Sequence, residues 1–187
     1  SGAGRTALLP ALAARGVQTV DLEDLAGHRG SLFGARPEGQ PSQKALESRL
    51  HDALSRLNPG QPVVVEAESS KIGARLIPPS LWTAMTAAPA IRLESPVEVR
   101  AARSVRDYAG LDTAAIDEAL TRLPRHIPKE TVSGWRALAA AEDRLALATE
   151  LILHHYDPAY RRQGEARAGI PTVSGGRVDE AAVGRAG

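Results

Sequence analysis

The chain opens Ser1-Gly2-Ala3-Gly4-Arg5-Thr6. Small residues ahead of a cation and a hydroxyl suit phosphate binding. Glycines let backbone N–H groups close around an anion. A positive side chain neutralises it, and a Thr hydroxyl ligates Mg²⁺. The hexapeptide reads as the closing half of G-x-x-x-x-G-K-[ST], with Gly4-Arg5-Thr6 standing for G-K-T. Gly2, Ala3, Gly4, Arg5 and Thr6 are therefore the candidate phosphate cradle. Arg5 keeps the charge but brings a planar fork instead of a compact ammonium. The competing reading is an ordinary terminus of small residues. The motif's leading Gly and its feeding strand would fall before Ser1, and the only Met is Met85. The chain thus reads as a fragment lacking the first strand of its sheet.

Acids come next. Asp21 follows VQTV, and Glu66 and Glu68 follow VVV. At the C-terminal ends of strands in an open α/β sheet, such acids hold Mg²⁺ or orient a nucleophile. Asp21 and Glu66 are the candidate catalytic pair with Arg5 and Thr6, and Thr6 and Glu66 the candidate metal ligands. Each acid alone also reads as a solvated loop cap. His28, Arg29 and Ser31 sit in a glycine-rich basic run suited to phosphate contacts. Arg100, Arg103 and Arg106 recur along one helix side and could track an RNA backbone, or simply form a solvated face. His154 and His155 are adjacent, so they do not share a helix face. They read as a helix terminus rather than a metal site.

The elements that must position these groups follow from periodicity. Residues 5–15 read as a helix stopped by Gly16, despite Pro10. Residues 17–22 read as a strand, and 27–39 as a loop. Leu46, Leu50, Leu54 and Leu57 place an amphipathic helix over 42–57. Residues 62–67 read as a strand covered on both faces. A loop over 72–79, a helix over 80–87 and a third strand over 90–93 follow. Ser95-Pro96-Val97-Glu98 reads as a capping box opening a helix to about residue 109. Beyond Gly110 only helical periodicity remains. Its strongest run is 133–156, with Leu138, Leu145, Ala148 and Ile152 inward. The expected fold is α/β: a P-loop-type parallel sheet flanked by helices over 1–110, a helical subdomain over 111–168 and a loose tail over 169–187.

Composition narrows the class. Of the 187 residues 43% are hydrophobic but only 3% aromatic, so the core is aliphatic. Lys and Arg total 23 against 22 Asp and Glu, a net charge of +1, so any nucleic-acid site must be a local patch. With no Cys there is no disulfide partner, thiolate zinc site or cysteine nucleophile on this chain, and a cytoplasmic setting is the default. No apolar run approaches the ~18–20 residues of a membrane span.

Several segments together resemble the P-loop domain of the tRNA 2-selenouridine synthase family. They are SGAGRT, DLEDLAGHRGSLFG (21–34), QPSQKALE (40–47), VVVEAESSKIG (63–73), IPPSLWTAM (77–85), LESPVEVRAAR (93–103) and LHHYDPAYRRQ (153–163). HRGSLFG followed by QPSQ, then VEAES ahead of KIG, is far more specific than the P-loop itself. The resemblance implies an enzyme acting on wobble 2-thiouridine, with geranyl diphosphate and selenophosphate as co-substrates and Mg²⁺ at the phosphates. It implies an S-geranyl intermediate, then selenium transfer. With tRNA as the implied substrate, His28, Arg29, Ser31, Arg100 and Arg103 are the candidates for gripping its anticodon arm. A rhodanese-like N-terminal domain carrying a catalytic Cys is expected in the full-length protein and is not on this chain. Arg5 departs from the family's P-loop Lys. Two further readings stay open: a non-catalytic tRNA-binding module with a degenerate P-loop, and a small-molecule P-loop kinase or NTPase.

Overall fold

The computed structural model describes residues 5–66, 69–124, 126–164 and 171–174. Two compact units divide between Ala90 and Ile91. In the first, α1 (Arg5–Ala13) ends in a turn at Gly16, whose φ of +81° suits glycine. It packs on β1 (Gln18–Val20). A short helix α2 (Leu22–Leu25) follows, capped by the Asp21 carboxylate, which accepts the Asp24 N–H at 2.7 Å. α3 (Gln43–Ser55) is capped by Ser42, whose Oγ accepts the Ala45 N–H at 3.1 Å. Its Leu46 and Leu50, four residues apart, enter a core with Val20, Leu22, Ala26, Ile72 and Ile77. Each such leucine stabilises the unit by about 1.5–3 kcal/mol.

β2 (Val63–Val65) pairs in parallel with β1, Val20 opposite Val65. Val63 is 39% exposed, so β2 is not covered on both faces as three valines suggested. Residues 72–79 are not a plain loop. β3 (Lys71–Ile72) and β4 (Arg75–Leu76) form an antiparallel hairpin around Gly73, with a φ of +59°. α4 (Pro79–Ala87) closes the unit, its Leu81, Trp82 and Met85 resting on the core.

The expected third strand forms but joins different company. β5 (Arg92–Glu94) pairs in parallel with β6 (Thr172–Ser174), inside the segment read as a loose tail. The described first-unit parallel sheet therefore has two strands, and the larger P-loop sheet is not established. The helical unit begins at Ile91 rather than near 110, because α5 (Val97–Asp107) packs against α8 (Arg144–Leu151). The assigned start of α5 lies one residue later than the capping-box reading, with Pro96 rather than Ser95 at the N-cap position.

The long helix expected over 133–156 is two helices. α6 (Thr113–Thr121) and α7 (Lys129–Ala140) pack together, and α7 ends before α8 at Glu142, with a φ of +57°. The break resets the helical phase. Leu145 is 54% exposed, while Trp135, Ala139, Leu147, Leu151 and Ile152 are buried. His154 and His155 do not end a helix either. They lie in a π-helical turn (Ile152–Tyr156) leading into α9 (Asp157–Gly164). Pro158 has no N–H for the His154 carbonyl, and its ring would strike that oxygen. The chain widens there, and the Asp157 N–H reaches the Ile152 carbonyl. Among the described residues no helix is long and apolar enough to cross a membrane.

Candidate functional site

β1 and β2 are parallel and in register through Val20 and Val65. Asp21 and Glu66 are the next residues of each, so both acids emerge at one edge. α1 runs back to β1 through a tight turn and packs on it. Nine helical residues rise about 13 Å, and three strand residues about 10 Å. A helix running antiparallel to β1 over that length would begin, at Arg5 and Thr6, toward the same edge. Gly2, Ala3, Gly4 and Glu68 lie outside the described residues.

Glu66 is 7% exposed. Its Oε1 accepts the Glu23 N–H at 2.7 Å, at the start of α2. Asp21 caps the same helix start through Asp24. Two carboxylates thus converge on the N-terminal amides of one helical turn, where partial positive charge favours them. Both are hard oxygen donors. Among the described residues no group of three or more His, Cys, Asp and Glu could hold a metal ion. A cation there needs phosphate or water oxygens to complete its shell.

The loop over 28–35 is a closed structure rather than a loose basic run. The Arg29 N–H donates to the Gly34 carbonyl at 2.9 Å, and the Gly34 N–H to the Ser31 carbonyl at 3.0 Å. His28 Nδ1 accepts the Gly30 N–H at 3.0 Å, which makes the imidazole a fixed part of the loop. Arg29 is exposed at its tip, and Ser31 is half-buried.

Arg100 and Arg103 belong to the helical unit. Both terminal nitrogens of Arg100 donate to Asp157, each at 2.7 Å, which ties α5 to α9. The Asp157 hydrogen bond raises the Arg100 pKa, burial opposes, and the Asp157 charge adds to the rise. With its side chain 13% exposed, Arg100 presents little surface to a phosphate.

A family profile described as the tRNA 2-selenouridine synthase AAA domain matches residues 1–141. The chain belongs to this family. A tRNA 2-selenouridine synthase of Cupriavidus pinatubonensis is 32% identical over 210 residues, covering 95% of this chain and 56% of the relative. One from Aeromonas salmonicida is 33% identical over 87% of this chain and 51% of the relative. One from Hahella chejuensis reaches 45% over 58% of this chain. The chain spans about half the length of the first two relatives. No solved structure matches.

Membership in the tRNA 2-selenouridine synthase AAA family gives the QPSQ run a context, and the structure gives it a task that sequence reasoning missed. Gln43 Oε1 accepts the Leu76 N–H at 3.0 Å, and its Nε2 donates to the Leu76 carbonyl at 2.9 Å. Gln40 makes comparable bonds around Gly73. Arg75 Nε donates to the Pro41 carbonyl. The readable signal was two amide side chains flanking a Pro-Ser helix start. A glutamine carries donors and an acceptor at one end, so it can substitute for a strand partner.

Proposed function

We propose that this chain is the part of a tRNA 2-selenouridine synthase that S-geranylates wobble 2-thiouridine, at the edge formed by β1, β2 and the start of α1. The observation supporting this is the shared edge of Asp21 and Glu66 in paired parallel strands, with α1 packed on β1. In the reaction, the thiouridine sulfur attacks C1 of geranyl diphosphate. A C–S bond forms, and the C1–O bond breaks with its electron pair going to diphosphate. The N3 proton passes to solvent. Gly2, Ala3 and Gly4 would supply backbone N–H groups to the departing diphosphate, and Arg5 a positive charge. Asp21 and Glu66 fit Mg²⁺, which takes one or two carboxylates beside phosphate oxygens. Thr6 and Glu66 would hold the ion, which supplies charge neutralisation on the leaving group. In the first unit Arg29 and Ser31 would contact the anticodon arm, with His28 holding the loop; in the helical unit Arg103 would offer a contact of its own, with Arg100 holding α9. Selenium of selenophosphate would then attack C2, geranylthiol would leave with the C2–S electron pair, and water would cleave the P–Se bond to release phosphate, with a rhodanese-like domain of the full-length protein taking part.

The test is nucleoside mass spectrometry after incubation with Mg²⁺, geranyl diphosphate and 2-thiouridine-containing tRNA. A geranyl adduct is expected, reduced by Arg5→Ala. An unmodified nucleoside despite salt-sensitive tRNA binding would favour a non-catalytic binding module. ATP consumption with no tRNA requirement would favour the NTPase reading, in which Asp21 orients the acceptor hydroxyl.

A further inference from the structure

The side-chain amide of Gln40 joins two segments distant in sequence. Its Nε2 donates to the Ala26 carbonyl at 3.0 Å, where α2 ends. The same nitrogen donates to the Ile72 carbonyl at 3.0 Å, at the end of β3. Its Oε1 accepts the Ala74 N–H at 2.7 Å. Both donors and one acceptor position of the amide are thereby used.

Gly73 lies between the two hairpin residues that Gln40 holds. A Cβ on Gly73 would strike Gln40 Oε1 and sit 2.7 Å from His28 Cδ2. A Cβ on Gly34 would lie 2.9 Å from His28 Cε1. The imidazole is thus flanked by two glycines, one in its own loop and one in the β3–β4 turn. Its Nδ1 in turn holds the Gly30 N–H. An unbroken series of contacts runs from Gln40 through Gly73 to His28, and so to the loop tip.

We infer that Gln40 is a positioning residue: its amide fixes the β3–β4 turn against His28 and thereby the conformation in which residues 28–35 present Arg29 and Ser31 to RNA. The RNA half of this statement rests on the proposed function. The mechanical half does not.

Gln40→Glu tests both. It keeps the shape and the acceptor but removes both donors, and it faces two carbonyl oxygens with a carboxylate. Gln40→Met, which keeps length and apolar bulk, serves if the Glu variant does not fold. Amide hydrogen exchange is read by NMR on the full chain. The Ala74 and Gly30 amides are expected to exchange about tenfold faster, as loss of one or two net hydrogen bonds allows. The Gly60 amide, held locally by Asn58 Oδ1 at 2.9 Å, is expected to be unchanged. Affinity for tRNA, measured well below the melting temperature, is expected to fall about fivefold, a change that stability loss alone does not produce. Faster exchange at Ala74 with Gly30 unaltered overturns the inference. So does an unchanged tRNA affinity in a Gln40 variant when Arg29→Ala weakens binding. If Arg29→Ala leaves binding intact while Gly30 is released, the positioning role stands and the RNA-grip reading fails.

Discussion

Glu66 has two tasks that different substitutions separate. It is a buried acceptor for the Glu23 N–H and a negative charge at the strand edge. Glu66→Gln retains an oxygen for Glu23 and removes the charge. Its stability is expected to stay near that of the parent, while the proposed geranyl transfer is expected to fall by about a hundredfold, the scale of losing one preorganised electrostatic group. Glu66→Ala removes both and strands the Glu23 N–H. It is expected to cost about 1–3 kcal/mol in urea unfolding. A Gln variant with parental turnover would reduce Glu66 to an anchor for α2. Arg100 offers the contrast of a functional-looking cation engaged within the fold. Its two parallel bonds to Asp157 suit a planar fork and not an ammonium. Arg100→Lys is expected to destabilise the helical unit by about 1.5–3 kcal/mol. The hydrogen bond to Asp157 raises the folded-state pKa of Arg100 above its unfolded value, so its stabilising contribution is fully present below the unfolded value and is lost only as pH rises through the folded one. The parent's stability is therefore expected to show no loss from Arg100 deprotonation across neutral pH, which urea titrations at pH 6 to 9 would check.

At the scale of elements, the break between α7 and α8 decides how the helical unit packs. The Asp143 N–H returns to the Leu138 carbonyl at 3.0 Å and the Glu142 N–H to Ala139 at 3.1 Å. Asp143 then caps α8 by accepting the Ala146 N–H at 3.0 Å. This is a helix stop in which the left-handed position is usually glycine, and here it is Glu142. Glu142→Gly is expected to stabilise the chain by about 0.5–1 kcal/mol in urea unfolding, since relief of left-handed strain outweighs glycine's extra unfolded entropy. The same residue shows why the sequence misled. Glu and Asp are unremarkable inside a helix, so periodicity ran straight through Glu142 and placed Leu145 inward. The elements with local signals were legible: Gly16 after α1, Ser42 before α3, and the run of leucines along it. The strand ends carrying Asp21 and Glu66 were legible too, because each acid directly follows a short valine-containing run. What was not legible depends on distant partners. Nothing near Arg92 says that Thr172 will pair with it, and nothing near Arg100 says that Asp157 will claim its guanidinium. The β3–β4 hairpin was hidden because much of its support comes from two glutamine side chains more than thirty residues away.

The whole molecule is organised as two compact units, and each carries one tryptophan. Trp82 rests on the core built by Val20, Leu46, Leu50 and Ile72. Trp135 is 1% exposed within the helical unit. The sequence holds two tryptophans, so single Trp→Phe variants make each unit report by itself. Gly73→Ala introduces a Cβ against His28 and Gln40 at a positive φ, and its cost falls in the first unit. Glu142→Gly acts in the second. In the chain retaining Trp82, Gly73→Ala is expected to lower the urea midpoint, and Glu142→Gly to leave it in place. In the chain retaining Trp135 the pattern reverses. Equal shifts at both tryptophans would mean that the two units unfold as one cooperative block, since mutational free energies then register at every probe. Separate shifts would make each unit's stability independently adjustable. Loss of tRNA binding could then be assigned to the 28–35 loop or to α5 by asking which tryptophan's transition moves with it.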